Sequence, residues 1–202
     1  VRKRARAAGG IAAEIADALR HAEREALLIS PYFVPGRAGL DLLLDLRRRG
    51  VRIAVVTNSL AATDVVAVHG GYMKYRVPLL ESKPGPTEEG ASLLGSRGAA
   101  LHTTAFAVDG RCAFVGSFNL DPRSAALNTE MGAIVRHPAL ARAVAAEHAR
   151  LADPAVSWRI LLEADRPIWQ DAPRGTLRQL RREPLAGFWR RAIAGLARRR
   201  PH

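Results

Sequence analysis

The sequence predicts an α/β fold in which helices flank a mixed β-sheet. The first observation is a strand–helix–strand alternation: apolar runs at 26–30 and 51–57 predict strands, and residues 40–49 between them predict a helix. The second is a hairpin, because Asp109-Gly110 joins two short apolar runs and favours a two-residue turn. The alternation indicates parallel strands and the hairpin antiparallel ones, so the layered sheet should be mixed.

The N-terminal part supplies the elements of that alternation. Residues 11–25 carry apolar side chains at helical spacing, which predicts an amphipathic first helix. The loop 32–34 (Tyr-Phe-Val) has two open interpretations, a lipid-facing mouth or core packing. Asn58 follows the second strand at the sheet end where ligands often bind, and a helix cap is the alternative role. His69 is a candidate second acid, without a firm pattern behind it.

The remaining elements follow from composition and periodicity. Residues 84–100 are rich in Gly, Pro and Ser and predict an irregular, mobile loop. Residues 131–136 predict a strand and residues 138–151 a helix. The composition then shifts, so we predict one domain over 1–153 and a basic C-terminal extension over 154–202.

The hairpin brings polar side chains together at its open end. With a turn of two residues, Thr104 pairs with Val115, and His102 lies opposite Ser117. Alternation along the strand puts His102 and Thr104 on one face, and Asn119 follows the second strand. An imidazole, two hydroxyls and an amide would therefore form a small anion site. Spacing alone favours the plainer interpretation, a surface histidine followed by turn residues.

The chain is strongly basic, with a formal net charge of +12 and a pI of about 11.3. This charge favours an anionic partner, either nucleic acid or an acidic membrane surface. Aromatic residues are 5% of the chain and are not interleaved with the basic runs, which makes nucleic acid less favoured. A single cysteine, Cys112, excludes an internal disulfide, and no Cys/His cluster predicts a metal or other cofactor. Val1 is not a start residue, so we expect a longer chain upstream.

The basic charge is concentrated at the C-terminal end. Residues 174–202 contain nine arginines and one acid, Glu183, a net charge of +8. Residues 184–199 predict an amphipathic helix whose apolar stripe comprises Leu185, Phe188, Trp189, Ala192, Ile193 and Leu196. Arginines on the opposite face are typical of a helix that lies at an anionic bilayer. The equally supported alternative is a helix that docks this apolar stripe on the domain core.

The hairpin and its continuation carry a motif, His-Thr-Thr from His102, then Asp109, then Gly-Ser-Phe-Asn over 116–119. It resembles the C-terminal catalytic motif of the phospholipase D superfamily, His-x-Lys-x4-Asp followed by Gly-Ser-x-Asn. Thr104 stands where that family has lysine, and this chain contains one motif where full-length members carry two. The resemblance, to bacterial cardiolipin synthases in particular, extends over three longer runs, residues 29–64, 68–82 and 118–132.

The resemblance implies a phospholipase D-like layered fold and phosphodiester exchange through a covalent phosphohistidine. His102 would be the nucleophile or the general acid, and Glu130 would be the partner of its imidazole. Ser117 and Asn119 would hydrogen-bond phosphoryl oxygens. Phosphatidyl transfer of the cardiolipin synthase type is the function that these roles predict.

Thr104 and Asp109 differ from the other positions of the motif in their expected roles. Thr104 would join the phosphate-binding groups, but its hydroxyl is uncharged and shorter than lysine. Losing such a cation costs on the order of 10²–10³ in rate, so the activity should be impaired. Asp109 belongs to the catalytic motif, yet its place in the turn, on the face opposite His102, favours a mainly structural role.

The resemblance also implies partners. The substrate would be an anionic, phosphatidylglycerol-like phospholipid, and the protein would be peripheral on the cytoplasmic side of a membrane. A missing N-terminal half or a second chain would complete a two-motif site. Two alternatives remain: a phosphodiesterase or nuclease formed by two single-motif chains, and a non-catalytic domain that binds anionic membranes.

Overall fold

The computed structural model describes residues 10–81, 92–96, 100–121, 130–172 and 175–198. Its helices are α1 (Gly10–Arg20), α2 (Gly36–Arg48), α3 (Val66–Glu81), α4 (Pro138–Leu151) and α5 (Phe188–Arg198). Its strands are β1 (Glu25–Ile29), β2 (Arg52–Asn58), β3 (Ser92–Ser96), β4 (Thr104–Val108), β5 (Cys112–Gly116), β6 (Gly132–Val135), β7 (Ser157–Glu163), β8 (Arg166–Asp171) and β9 (Arg178–Leu180).

All of these strands belong to one sheet with the order β6-β5-β4-β1-β2-β3-β7-β8-β9. β1 pairs with β2, and β2 with β3, in parallel, whereas the outer strands on both sides pair antiparallel. The predicted α/β class with a mixed sheet is therefore confirmed. The parallel pairs come from the helical crossovers α2 and α3. The strand–helix–strand alternation indicated the first of these, and the second was not predicted.

The two faces of the sheet are covered differently. Leu28 faces α1, α2 and α3, within the larger apolar core. Its neighbours Leu27 and Ile29 point the other way, toward α4. Phe33 and Val34 are buried in the larger core, so core packing is the correct interpretation for this part of the loop 32–34. In the described ranges, every helix is too short or too polar to cross a bilayer.

The prediction of an irregular loop over 84–100 was wrong for β3. Ser92–Ser96 is a central strand between β2 and β7, and Leu93 and Leu94 are both buried. Its serine and glycine composition concealed it, because a short strand that is buried on both faces shows no alternation. The flanking parts of the predicted loop lie outside the described residues.

The hairpin forms at the predicted turn, but its predicted register was wrong. Asp109 and Gly110 have φ of 53° and 64°, and the Arg111 N–H closes the turn on the Val108 carbonyl at 2.9 Å. Arg111 is one extra loop residue, so Thr104 pairs with Gly116 instead of Val115. The position opposite His102 therefore shifts by one residue, and neither His102 nor Ser117 lies within the paired strands.

The C-terminal region adds structure that the sequence did not predict. β7 pairs with β3, and β8 and β9 extend the same sheet. The turn between β7 and β8 has positive φ at Ala164 and Asp165. Because neither residue is glycine, the sequence contains no strong hairpin-turn signal at this point. The predicted domain boundary after residue 153 stays a prediction. The strands within residues 157–180 belong to the same sheet as β1.

Candidate active site

The predicted site residues lie at one end of the sheet, except for Asp109. β2 ends there at Asn58, and the antiparallel pair β4–β5 places Thr104 beside Gly116 at the same end. His102 precedes β4 and Ser117 follows β5, so both lie just beyond the paired strands. Parallel strand ends and an antiparallel hairpin therefore assemble one polar edge.

Asn58 holds the chain immediately before His102. Its side chain is buried, and its Oδ1 accepts hydrogen bonds from the Leu101 N–H at 2.8 Å and the Ser96 hydroxyl at 3.2 Å. Its Nδ2 donates to the Leu101 carbonyl at 3.3 Å. Both backbone groups of Leu101 are thus fixed by one amide. Asn58 therefore positions the backbone of His102, a role that the two interpretations drawn from the sequence did not include.

Thr104 and Asn119 are joined at the base of the site. The Thr104 side chain is buried, and its hydroxyl donates to Asn119 Oδ1 at 3.4 Å. Asn119 Nδ2 donates in turn to the Ser117 carbonyl at 3.4 Å. The next residue, Leu120, is held by its N–H to the Ser30 hydroxyl at 3.3 Å. The loop after β5 is thus held by hydrogen bonds of 3.3 to 3.4 Å on both sides of Asn119.

Ser117 and Glu130 form the second polar contact of the site. The Ser117 hydroxyl donates to Glu130 Oε2 at 2.5 Å and accepts from the Met131 N–H at 3.1 Å. Both residues lie at the surface, because the Ser117 side chain is exposed and Glu130 is half-buried. The pairing of Glu130 with the imidazole of His102 stays a prediction. The sequence also offers Arg123 as an anchor for a carboxylate or a phosphate, and this residue lies outside the described residues.

His102 is exposed, and a carboxylate that the sequence analysis missed lies near it. The Tyr32 hydroxyl donates to Asp64, and burial followed by this hydrogen bond raises the pKa of Tyr32 to about 12. The same hydrogen bond holds the pKa of Asp64 below its ordinary value, and the charge of a protonated His102 adds to the effect. Asp64 is the last residue of the run 29–64 that resembles bacterial cardiolipin synthases. This resemblance was the feature of the sequence that could have identified it as a site residue.

Asp109 lies at the opposite end of the hairpin from His102. Five residues of strand, roughly 16 Å at about 3.3 Å per residue, separate it from Thr104. Its carboxylate accepts the backbone N–H groups of Glu23, Arg24 and Glu25 at 2.8 to 2.9 Å. The turn is thereby tied to the start of β1. The mainly structural role of Asp109 stays a prediction.

His69 also lies outside the polar edge. Its side chain is buried, and its Nε2 lies 2.8 Å from Glu183 Oε1. Glu183 Oε2 accepts from Arg76 at 2.8 Å. Burial, followed by the charge of Arg76, lowers the pKa of His69. Among the described residues, no group of three or more His, Cys, Asp or Glu side chains is arranged to hold a metal ion.

Comparison with known proteins identifies the family. Residues 15–152 match the family model described as cardiolipin synthase, PLD-like domain. The chain belongs to this family of phospholipase D-like enzymes. It is 42% identical over 184 residues to cardiolipin synthase C of Escherichia coli K12, an alignment that covers 84% of this chain and 38% of that protein. The chain thus spans about two fifths of the length of this cardiolipin synthase.

Solved structures agree with the phospholipase D-like fold. Nuc of Salmonella typhimurium, a phospholipase D family member, is 17% identical with a TM-score of 0.58, and the match covers 71% of this chain and 87% of Nuc. Phosphatidylserine synthase of Haemophilus influenzae Rd KW20 is 16% identical with a TM-score of 0.54, over 70% of this chain and 36% of that one. The family and fold that the motif predicted are confirmed, while the roles of the individual site residues stay predictions.

Proposed function

We propose that this chain carries one half of a composite site for phosphatidyl transfer of the cardiolipin synthase type. The supporting observation is the polar edge, where Asn58 fixes the chain before His102 and the Ser117–Glu130 and Thr104–Asn119 contacts lie beside it. His102 is exposed at this edge and is therefore accessible to a large phosphodiester. Asp64 places a carboxylate near this imidazole.

The reaction has two steps. A neutral imidazole nitrogen of His102 attacks the phosphorus of phosphatidylglycerol, and the bond from phosphorus to the glycerol oxygen breaks. Glycerol leaves with a proton from an acid on the other side of the phosphate. A hydroxyl of a second phosphatidylglycerol, after giving up its proton to that group, attacks the phosphohistidine and breaks the phosphorus–nitrogen bond. Two phosphatidylglycerols thereby give cardiolipin and glycerol.

The other half of the site must supply a second histidine. This chain contains one motif, and the phosphate needs a nucleophile on one side and an acid on the other. Asp109 takes no part in these steps and holds the hairpin in place. Ser117 and Asn119 would donate to phosphoryl oxygens, and Thr104 would supply a weaker contact than lysine. The protein would act as a peripheral protein on the cytoplasmic face of a membrane that contains anionic lipid.

A chimera tests this function. This chain replaces the segment of E. coli cardiolipin synthase C to which it aligns, and the chimera is assayed for the conversion of phosphatidylglycerol to cardiolipin and glycerol. We expect turnover by the chimera and none by the 202-residue chain as a verified monomer. With lipid labelled at phosphorus, acid-labile label should be trapped on His102 in the wild-type chimera and be absent after His102→Ala.

Other outcomes would replace this proposal. Robust cardiolipin formation by a verified monomer contradicts a composite site. A stable dimer of the chain alone that cleaves simple phosphodiesters would instead support the single-motif phosphodiesterase. A folded chimera that binds anionic lipid but neither turns over nor traps label would leave the non-catalytic binding domain.

A further inference from the structure

The C-terminal helix α5 and the residues just before it expose an unusual amount of apolar surface. The exposed stripe, defined by Leu185, Phe188, Trp189, Ile193 and Leu196, has side chains that are between 51% and 76% exposed. These five are nearly half of the eleven large hydrophobic residues exposed in the described part of the chain. The rings of Phe188 and Trp189 meet edge to face with centroids 5.4 Å apart. A contiguous patch of this kind marks an interaction surface.

The helix is nevertheless docked firmly, through its other side. Ala194 is fully buried against α3, and a Cβ at Gly70 would lie only 2.6 Å from the Ala194 carbonyl oxygen. The Arg190 guanidinium donates to the carbonyls of Leu60, at 3.1 Å, and Thr63. Docking the apolar stripe on the core, one of the two alternatives, was therefore wrong. Small residues and an arginine hold α5, which leaves the exposed stripe facing outward.

The exposed stripe lies at the same end of the molecule as the polar edge. The loop that Arg190 holds follows β2 directly after Asn58, which positions His102. Asp64, the neighbour of Thr63, is the carboxylate that interacts with His102. Met131, beside Ser117 at this end, is a further exposed apolar side chain. An apolar surface held next to a phosphodiester site would suit a substrate that resides in a bilayer.

The charge of this region identifies the partner. Residues 174–202 carry a net charge of +8 within a chain of +12. Arg182 and Arg198, which precede and follow the exposed stripe along the chain, are both exposed. A protein partner would require an acidic, apolar complement, whereas an anionic bilayer presents both a negative surface and an apolar interior.

We propose that the exposed stripe inserts into the surface of an anionic phospholipid bilayer and brings His102 to the level of the headgroups. The placement of His102 depends on the proposed function, because only a lipid substrate requires the site to lie at the bilayer. Insertion of the stripe does not require catalysis and is tested separately. The aromatic pair would lie at the boundary between headgroups and acyl chains, where Trp is favoured.

Tryptophan fluorescence reports this insertion directly. Of the three tryptophans in the chain, Trp158 and Trp169 are buried and Trp189 is exposed. Adding vesicles of equal parts phosphatidylglycerol and phosphatidylcholine to the 202-residue chain should shift the emission to the blue, and brominated acyl chains should quench it. Trp189→Phe should remove both signals but still sediment with the vesicles. Pure phosphatidylcholine vesicles should give at least about tenfold weaker binding.

A matched pair of variants separates the stripe from general surface hydrophobicity. Phe188→Ser combined with Ile193→Ser should weaken sedimentation with the anionic vesicles at least about tenfold and leave the melting temperature nearly unchanged, since both side chains are exposed. The control, Leu177→Ser, alters an exposed apolar residue outside the exposed stripe and should bind like the wild type. Salt should weaken binding, because the Debye length falls from about 10 Å at 0.1 M to about 3 Å at 1 M.

Three results would overturn the inference. The first is unchanged emission and no sedimentation with anionic vesicles. The second is equal weakening by Leu177→Ser. The third is a dimer that the serine variants dissociate while vesicle binding stays absent, which would make the exposed stripe a contact between copies. A chimera that turns over detergent-dispersed phosphatidylglycerol but does not bind vesicles would reject only this inference, whereas an inactive chimera that binds them would reject only the proposed catalysis.

Discussion

His102 and His69 each lie near a carboxylate, but their surroundings differ. His102 is exposed at the polar edge, where the charge of Asp64 reaches it. His69 is buried beneath the tail, between Glu183 and Arg76. The first can meet a substrate, and the second cannot. A histidine beside a carboxylate is therefore a candidate nucleophile only where one side of the ring stays open.

The buried cluster still matters to the site through the fold. Glu183 accepts the Leu60 N–H at 3.3 Å, and His69 hydrogen-bonds the backbone of Asn58. Asn58 in turn holds Leu101, the neighbour of His102. Glu183, in the C-terminal extension, thus helps to fix the end of β2 on which the site depends. Changes at His102 should act on chemistry, whereas changes in the buried cluster should act first on stability.

The largest expected effect separates the two histidines. In the chimera, His102→Ala should lower cardiolipin formation at least about 10³-fold, because the nucleophile is gone. His69→Gln should keep most of the turnover per folded molecule, because its ring does not face the substrate. Turnover is normalised to the folded fraction measured by circular dichroism. Comparable losses in both variants would contradict the distinction.

Substitution of Glu183 should lower the free energy of unfolding more than the other changes described here. Burial would raise the pKa of Glu183, but Arg76 and His69 outweigh it and hold the pKa well below its usual range. Glu183→Gln leaves the buried Arg76 without its counter-charge, so the free energy of unfolding should fall by about 3–5 kcal/mol in urea titrations. Glu147→Gln is the control: Glu147 pairs with Arg150 on the surface, and its loss should change little.

A lysine introduced at position 104 of the polar edge should raise the turnover that depends on His102. Thr104→Lys in the chimera should raise turnover at least about tenfold, equivalent to roughly 1.4 kcal/mol of barrier, because an ammonium can stabilise the phosphoryl oxygens. Combining it with His102→Ala should abolish the gain. Unchanged turnover in Thr104→Lys, with His102→Ala inactive, would mean that another cation already serves the phosphate.

The smallest expected effect concerns pH. The pKa of His69 is lowered in the folded protein, chiefly by burial, so the unfolded chain takes up this proton first as the pH falls. Each histidine of this kind should lower the free energy of unfolding by about 1 kcal/mol between pH 6.5 and 5.5. Burial also lowers the pKa of His148, so His148 should contribute to the same loss of stability. Glu183 titrates below this window in both states. His69→Gln should flatten the slope of unfolding free energy against pH by about 0.7 proton over this window, equivalent to about 1 kcal/mol per pH unit, and an unchanged slope would contradict this assignment.

Local signals in the sequence accounted for much of the candidate site. The Asp109-Gly110 turn, the helix Pro138–Leu151 and the alternation around β1 and β2 all depend on neighbours along the chain, and all formed where expected. The motif around His102 predicted the family because its residues lie close in sequence. The sequence placed Asn58 at the correct end of the sheet, but its hydrogen bonds to Leu101 and the approach of Asp64 to His102 are contacts between distant residues, which spacing along the chain does not show.

The sequence by itself determined the α/β class, the amphipathic character of the tail helix and the end of the hairpin that carries polar side chains. Only the tertiary structure decided three further features: the burial of β3, the register shift caused by Arg111, and the side on which α5 docks. Two of these depend on a partner distant in sequence, β7 for β3 and Gly70 for Ala194. The register instead follows from the third loop residue, Arg111, which the Asp109-Gly110 signal did not indicate. Hydrophobic periodicity indicates which side of a helix is apolar, but the shape of the surface it meets decides whether that side is buried.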